Sequence, residues 1–228
     1  MRDRTSKHIG AKATTLATPS THKRVTMTSK RIFWALCAWA LSGAVLAQGR
    51  LPILALDAYN AEQLQAVREF EAARKVAPTG PFEPLLYSPQ VMTLMRSTGD
   101  YLRFKSAIGT TLSELVILIV AREWTQDYEW HVHQPIAVKM GIKPAITEAI
   151  AQGRRPQGMS EDEEIVYDFS TELHKTKHVS DYTFARAEKR FGKQGVIDIT
   201  AINAYYTSLA MQMNMVEYQP PKDAVRLQ

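Results

Sequence analysis

The chain has 228 residues, 45% of them hydrophobic and 22% charged, a composition and length that suit one globular domain with its own core and exclude collagen, coiled-coil, disordered and disulfide-scaffold architectures. The formal net charge is +5, but eight of the 28 Lys/Arg and only one of the 23 Asp/Glu fall in residues 1–47. Residues 48–228 therefore carry 20 basic and 22 acidic side chains, which excludes nucleic acid as a partner.

Residues 1–26 are polar and rich in Ser, Thr and Lys; no fold is expected there, and Met27 is the expected true start. After Met27, Lys30 and Arg31 precede an apolar run from Ile32 to Leu46 broken only by Ser42, and Val45-Leu46-Ala47 offers a small-residue cleavage site before Gln48. A run of about 15 residues is short of the ~20 that span a bilayer and suits the apolar region of a secretory signal. Residues 27–47 are thus expected to be a signal peptide, with a periplasmic or secreted product that keeps no membrane attachment once cleaved. The only cysteine, Cys37, lies in this leader. A processed chain has no thiol and supports no disulfide, cysteine nucleophile or cysteine metal site.

Beyond residue 58 every long segment has a helical period and none alternates like a strand, so the expected class is all-α. Residues 48–87 read as an N-terminal helix, about 60–76 with Leu64, Val67 and Phe70 inward, followed by a PTGPFEP loop. Ser88-Pro89 opens a helix with a stripe of Val91, Leu94, Met95 and Leu102, ending before Gly109. Thr111-x-x-Glu114 has the form of a capping box ahead of the apolar LVILIVA, which predicts a buried helix to about Trp124. Further helices are expected from about Gln126 to Met140, with Gly141 as the stop, and from Pro144 to about Ala151. Ser160-x-x-Glu163 caps one to about His174, Ser180 caps one to Phe191-Gly192, and the last runs from about Gln194 to Asn214. Residues 221–228 are a tail.

Polar chemistry concentrates in EWTQDYEWHVHQPIA, residues 123–137. Glu129 and His133 are i,i+4 neighbours on one helix face. A carboxylate beside an imidazole can fix its tautomer and raise its pKa, as a general acid or base near neutral pH requires; the same spacing also describes a plain surface ion pair. His131 lies about 200° round the helix from His133, which argues against a metal pair. Trp124, Tyr128 and Trp130 read equally as core or interface residues, and Glu114 as the third residue of its capping box. Pro135 falls inside the helix, where it removes the hydrogen bond to the His131 carbonyl and breaks a local rule beside the polar cluster.

These residues resemble the carboxymuconolactone decarboxylase family, the all-helical group that includes the alkylhydroperoxidase D type peroxidases. The resemblance rests on Glu114 before an apolar helix, on YEWHVHQPIAVKMGI with Tyr128-Glu129-Trp130, His133, Ala137 and Gly141, and on the later YDFSTEL, VSDYTFARAEKRFG and INAYY…MNMVEYQPP segments. It covers roughly residues 88–220. In the peroxidase branch two cysteines lie seven and four residues before the His; Gln126 and Glu129 stand there in this chain. That departure excludes thiol peroxidase activity and points to the decarboxylase branch. The resemblance implies an alkylhydroperoxidase D-like helical bundle, a trimeric or hexameric homo-oligomer, and cofactor-free, metal-free loss of carbon dioxide from a small carboxylated lactone or enolisable acid. His133, oriented by Glu129, would be the proton donor, His131 or Trp130 would line the pocket with Tyr128 nearby, and Glu114 would be a supporting or structural group. Export sits poorly with cytoplasmic aromatic catabolism, so another small carboxylated or enolisable substrate is expected; a non-catalytic ligand-binding or assembly protein on the same scaffold is the alternative. Assembly is also expected because the LVILIVA helix and the aromatics after it exceed what one small domain readily buries.

Overall fold

The structure, a computed structural model, describes residues 50–224, 226 and 227; the expected leader and signal peptide lie outside them. Among the described residues eight α-helices and one 3-10 turn occur and no strand. Helix α1 (Ala61–Arg74) begins at a full capping box: Asn60 Oδ1 accepts from the Gln63 backbone N–H while the Asn60 N–H donates to Gln63 Oε1. Its inward face is Gln63, Ala66, Val67 and Phe70, so Leu64, expected inside, is instead 38% exposed. Gln63 uses its amide to hold the Leu86 carbonyl, which is why a polar residue takes that place. The expected PTGPFEP loop contains one helical turn, α2 (Phe82–Leu85).

Helix α3 (Pro89–Phe104) starts at its proline, as the sequence implies, although the Ser88 side chain makes no cap bond. Its buried face is Met92, Gly99 and Leu102 with Met95 half-buried, and Val91 and Leu94 of the expected stripe are exposed. Tyr205 explains the rotation: a Cβ on Gly99 would come within 2.3 Å of the Tyr205 hydroxyl, so the glycine face has to be the one that meets the last helix.

Helix α4 (Gly109–Glu123) is the centre of the fold and packs against α3, α5 (Asp127–Lys139), α6 (Pro144–Ala151), α7 (Glu161–Thr176) and α8 (Asp181–Met215). Every residue from Leu112 to Ala121 is buried. Full burial of each large aliphatic side chain contributes roughly 1.5–3 kcal/mol, so this helix supplies much of the core's stability. It also means that the single chain buries the LVILIVA face by itself, and that face is no reason to expect assembly. The expected capping box at Thr111 does not form, because α4 starts two residues earlier and Thr111 Oγ1 bonds the Met140 carbonyl. The box at Ser160 and Glu163 does form, and Ser180 caps α8 through the Thr183 N–H. The two last expected helices join across Gly192, whose φ of 69° and ψ of 177° break the helical path. Only glycine adopts that backbone cheaply.

Candidate functional site

Helix α5 is set in place at its first turn. The Gln126 side chain accepts from the Tyr128 N–H and donates to Asn214, whose own amide holds the Trp124 carbonyl, so the start of α5 is tied to the end of α8. From there a 3.6-residue period turns Glu129, Trp130, His133 and Ala137 inward. Helix α4 brings Glu114 to meet that face, the last turn of α3 brings Arg103, and α8 brings Tyr206.

The result is a buried line of four ionisable groups. Arg103 Nε donates to Glu114 Oε1 at 3.0 Å, Glu114 Oε2 lies 2.7 Å from His133 Nδ1, and His133 Nε2 lies 3.2 Å from Glu129 Oε2. Glu114 is fully buried, and Glu129 and His133 are each 4% exposed. Burial alone would push the His133 imidazole down, but the hydrogen bonds and charges of Glu114 and Glu129 outweigh it and hold the ring above its ordinary value. Burial works against the Glu114 carboxylate as well, and His133 and Arg103 together still hold it below the usual value. Along the line a donor or basic group stands beside each carboxylate, and every ionisable group in it has a partner. The Tyr206 ring stands edge-to-face with His133 at 5.4 Å.

His133 and Glu129 form part of the wall of a cavity of about 630 Å³. Helix α1, the loop before α2, the last turn of α3, α5 and α8 close the rest. Arg74 lies in the wall with its guanidinium 4.6 Å over the Phe82 ring and 5.1 Å over Phe70, and it pairs with Asp100 at 2.9 Å. Tyr128 lies at the edge, edge-to-face with Tyr218 at 5.1 Å. Burial, with the nearby Glu129 and Glu83 charges, raises the Tyr128 phenol above its ordinary value. Gly80, at φ 63°, lets the loop wall approach it: a Cβ there would stand 2.4 Å from the Tyr128 ring.

The sequence-predicted residues divide. Glu129, His133 and Tyr128 meet at the cavity, with Glu114 directly behind the imidazole. Glu114, not Glu129, makes the shorter bond, to Nδ1, and Glu129 lies against Nε2. Neither is part of a capping box or a surface pair. Trp130 and His131 do not line this cavity; they lie with Pro135 along a separate depression of about 410 Å³, His131 about 200° round α5 from His133 and the buried Trp130 about 60° from it. Among the described residues no group of three or more His, Asp or Glu is arranged to hold a metal ion.

Arg103, Arg74 and Tyr206 were not singled out by the sequence. Arg103 and Arg74 look like ordinary last-turn helix cations, and Tyr206 is one residue of an aromatic pair at helical positions. The N-terminal segment also lies outside residues 88–220, yet Phe70, Arg74 and Phe82 make one wall.

Comparison with known proteins separates fold from family. No protein-family profile matches the chain, and no curated protein matches it. Solved structures do. A protein from Ralstonia eutropha JMP134, described as an alkylhydroperoxidase AhpD core and uncharacterized peroxidase-related protein, superposes with a TM-score of 0.63 at 18% identity over 77% of this chain and 94% of its own. An uncharacterized peroxidase-related protein from Silicibacter sp. TM1040 gives 0.61 at 10% identity, with 77% and 93% covered. The debrominase Bmp8, as a cysteine-to-alanine variant in complex with 2,3,4-tribromopyrrole, gives 0.56 at 17% identity, with 77% and 91% covered. This chain has an alkylhydroperoxidase D-like fold. At these identities the likeness is one of architecture, and chemistry has to be argued from the site.

Proposed function

We propose that the protein is a cofactor-free lyase of the carboxymuconolactone decarboxylase type, acting on a small carboxylated lactone or enolisable acid by general acid/base chemistry. The observation that carries this reading is the His133 imidazole, clamped between Glu114 and Glu129 at the wall of a half-open cavity. The clamp favours the protonated ring, and its longer bond, to Glu129, is the one that a ligand can displace. Loss of carbon dioxide sends the C–C bonding pair into a conjugated enolate. The His133/Glu129 pair then delivers one proton to carbon and regains it from water. Positioned proton transfer of this kind contributes typically 10²–10⁴-fold in rate.

Assembly into a trimer or hexamer and a periplasmic or secreted location belong to the same proposal. The exposed apolar side chains Leu94, Phe104 and Ile197 support assembly, and sedimentation of the purified protein tests it. The activity test follows carbon dioxide release from 4-carboxymuconolactone with the wild type, His133→Gln and Glu129→Gln. Fast release that collapses in both variants is the expected result. Release no faster than the uncatalysed reaction, or full turnover in His133→Gln, refutes the proposal.

A further inference from the structure

Tyr206 is 5% exposed and lies in the cavity wall. Among the described residues no group hydrogen-bonds to its hydroxyl, although the ring is in edge contact with both His133 and Tyr205. The oxygen is not one of the sealed, unpartnered side-chain atoms of the interior; it opens on the cavity and is free to bond whatever enters. Burial, with the Glu129, Tyr205 and Glu114 charges adding to it against Arg103 alone, pushes the phenol well above its ordinary value. The group therefore keeps its proton at any physiological pH and stays a donor in want of an acceptor.

Arg103 is left in a similar state. Its Nε is committed to Glu114, while the two terminal nitrogens have no protein acceptor among the described residues and the side chain borders the same cavity. The cavity wall thus presents the His133 ring, a neutral phenol O–H and part of a guanidinium. Donors fixed in place where negative charge develops stabilise an oxyanion without the reorganisation that water needs.

We propose that Tyr206 and the free terminal nitrogens of Arg103 form an oxyanion site, in which the Tyr206 hydroxyl donates to the substrate oxygen that carries the enolate charge. This rests on the reading of His133 as the proton donor. As the carboxylate leaves as carbon dioxide, its bonding pair passes through the conjugated system to the carbonyl oxygen, which accepts from Tyr206 and Arg103. His133 protonates carbon, the oxygen returns to a carbonyl, and Tyr206 keeps its own proton throughout. Tyr206 is then a catalytic residue, selecting substrates whose acceptor oxygen and protonated carbon belong to one conjugated system.

The test uses 4-nitrophenolate as an enolate mimic and nitrobenzene as its uncharged counterpart, each titrated into the whole protein at a pH where the phenol is ionised. Tyr206→Phe keeps the ring and its packing. The expected result is tighter binding of nitrophenolate than nitrobenzene by the wild type, and a loss of roughly 10- to 100-fold for nitrophenolate alone in Tyr206→Phe, the range of a hydrogen bond to a charged group. Carbon dioxide release that persists in His133→Gln marks failure of the proton-donor reading, a result read separately from the nitrophenolate titration of Tyr206→Phe. Equal losses for both probes would assign Tyr206 to packing and overturn the proposal. Unchanged nitrophenolate binding in Tyr206→Phe, or no binding by the wild type, would overturn it too.

Discussion

Replacing Glu114 by Gln keeps the shape of the side chain and removes one charge from the centre of the buried line. The carboxylate accepts from Arg103 on one oxygen and from His133 on the other, at 3.0 and 2.7 Å. An amide can accept on one side only, and its NH₂ then faces the other donor, so either Arg103 Nε loses its acceptor or His133 must give up its Nδ1 proton. Removing one partner of a buried pair costs about 3–5 kcal/mol. The Arg103 side chain is 22% exposed, so water recovers part of its charge, and the lower end, ~3 kcal/mol, is expected. For a domain of this size that lowers Tm by roughly 6–12 °C. Urea unfolding of wild type and variant across pH measures it. His133, raised in the folded state above 6.5, contributes stability that is complete below 6.5 and lost as pH rises through the raised value. Glu114, held below 4.5, contributes stability that is present above 4.5 and lost as pH falls through the lowered value. The gap between the two proteins is therefore largest between 4.5 and 6.5 and narrows on either side. A gap under about 0.5 kcal/mol, the size of a surface pair, or one that ignores pH would refute the reasoning.

Glu129→Gln should lower the His133 pKa, because the second of its two carboxylate partners loses its charge; a proton NMR titration of the ring that stays at the wild-type value would contradict the clamp. Leu118→Ala, in the fully buried stretch of α4, should cost 2–5 kcal/mol, read by chemical denaturation. Gly80→Ala places a methyl group against the Tyr128 ring at a positive φ; it should destabilise by about 1 kcal/mol or more and raise the KM of any turnover more than it lowers kcat, since it moves the cavity wall and leaves the Glu129/His133 pair alone.

The all-helical class, the helix starts at Ser160 and Ser180 and the break at Gly192 were legible because each depends on local chemistry: a cap, a reciprocal box, a residue free to take positive φ. Glu129 and His133 were legible for the same reason, as an i,i+4 pair on one turn. What the sequence misread is what distant contacts decide. The inward face of α3 is chosen by Tyr205 against Gly99, more than 100 residues away in the chain, and Val91 and Leu94 lose to that fit. Glu114 has the spacing of a capping residue, but α4 extends past Thr111 toward its N-terminus, and the carboxylate becomes the mid-helix anchor of His133 instead. Arg103 carries no local signal, since its role exists only once α3 and α4 are side by side.

The clamp also bears on why this scaffold can do without a cysteine. The resembled peroxidases carry two thiols, seven and four residues before the histidine, and the second holds the i,i+4 position beside the imidazole. Glu129 occupies that place here, and it keeps the same neighbour, at 3.2 Å. A thiolate at that point exchanges electrons by attacking sulfur or oxygen. A carboxylate has no such step open to it and can only accept, share or return a proton. Under the proposed function, Gln126 and Glu129, standing where the resembled peroxidases have their two cysteines, leave proton transfer and not thiol redox chemistry as the step open to the site.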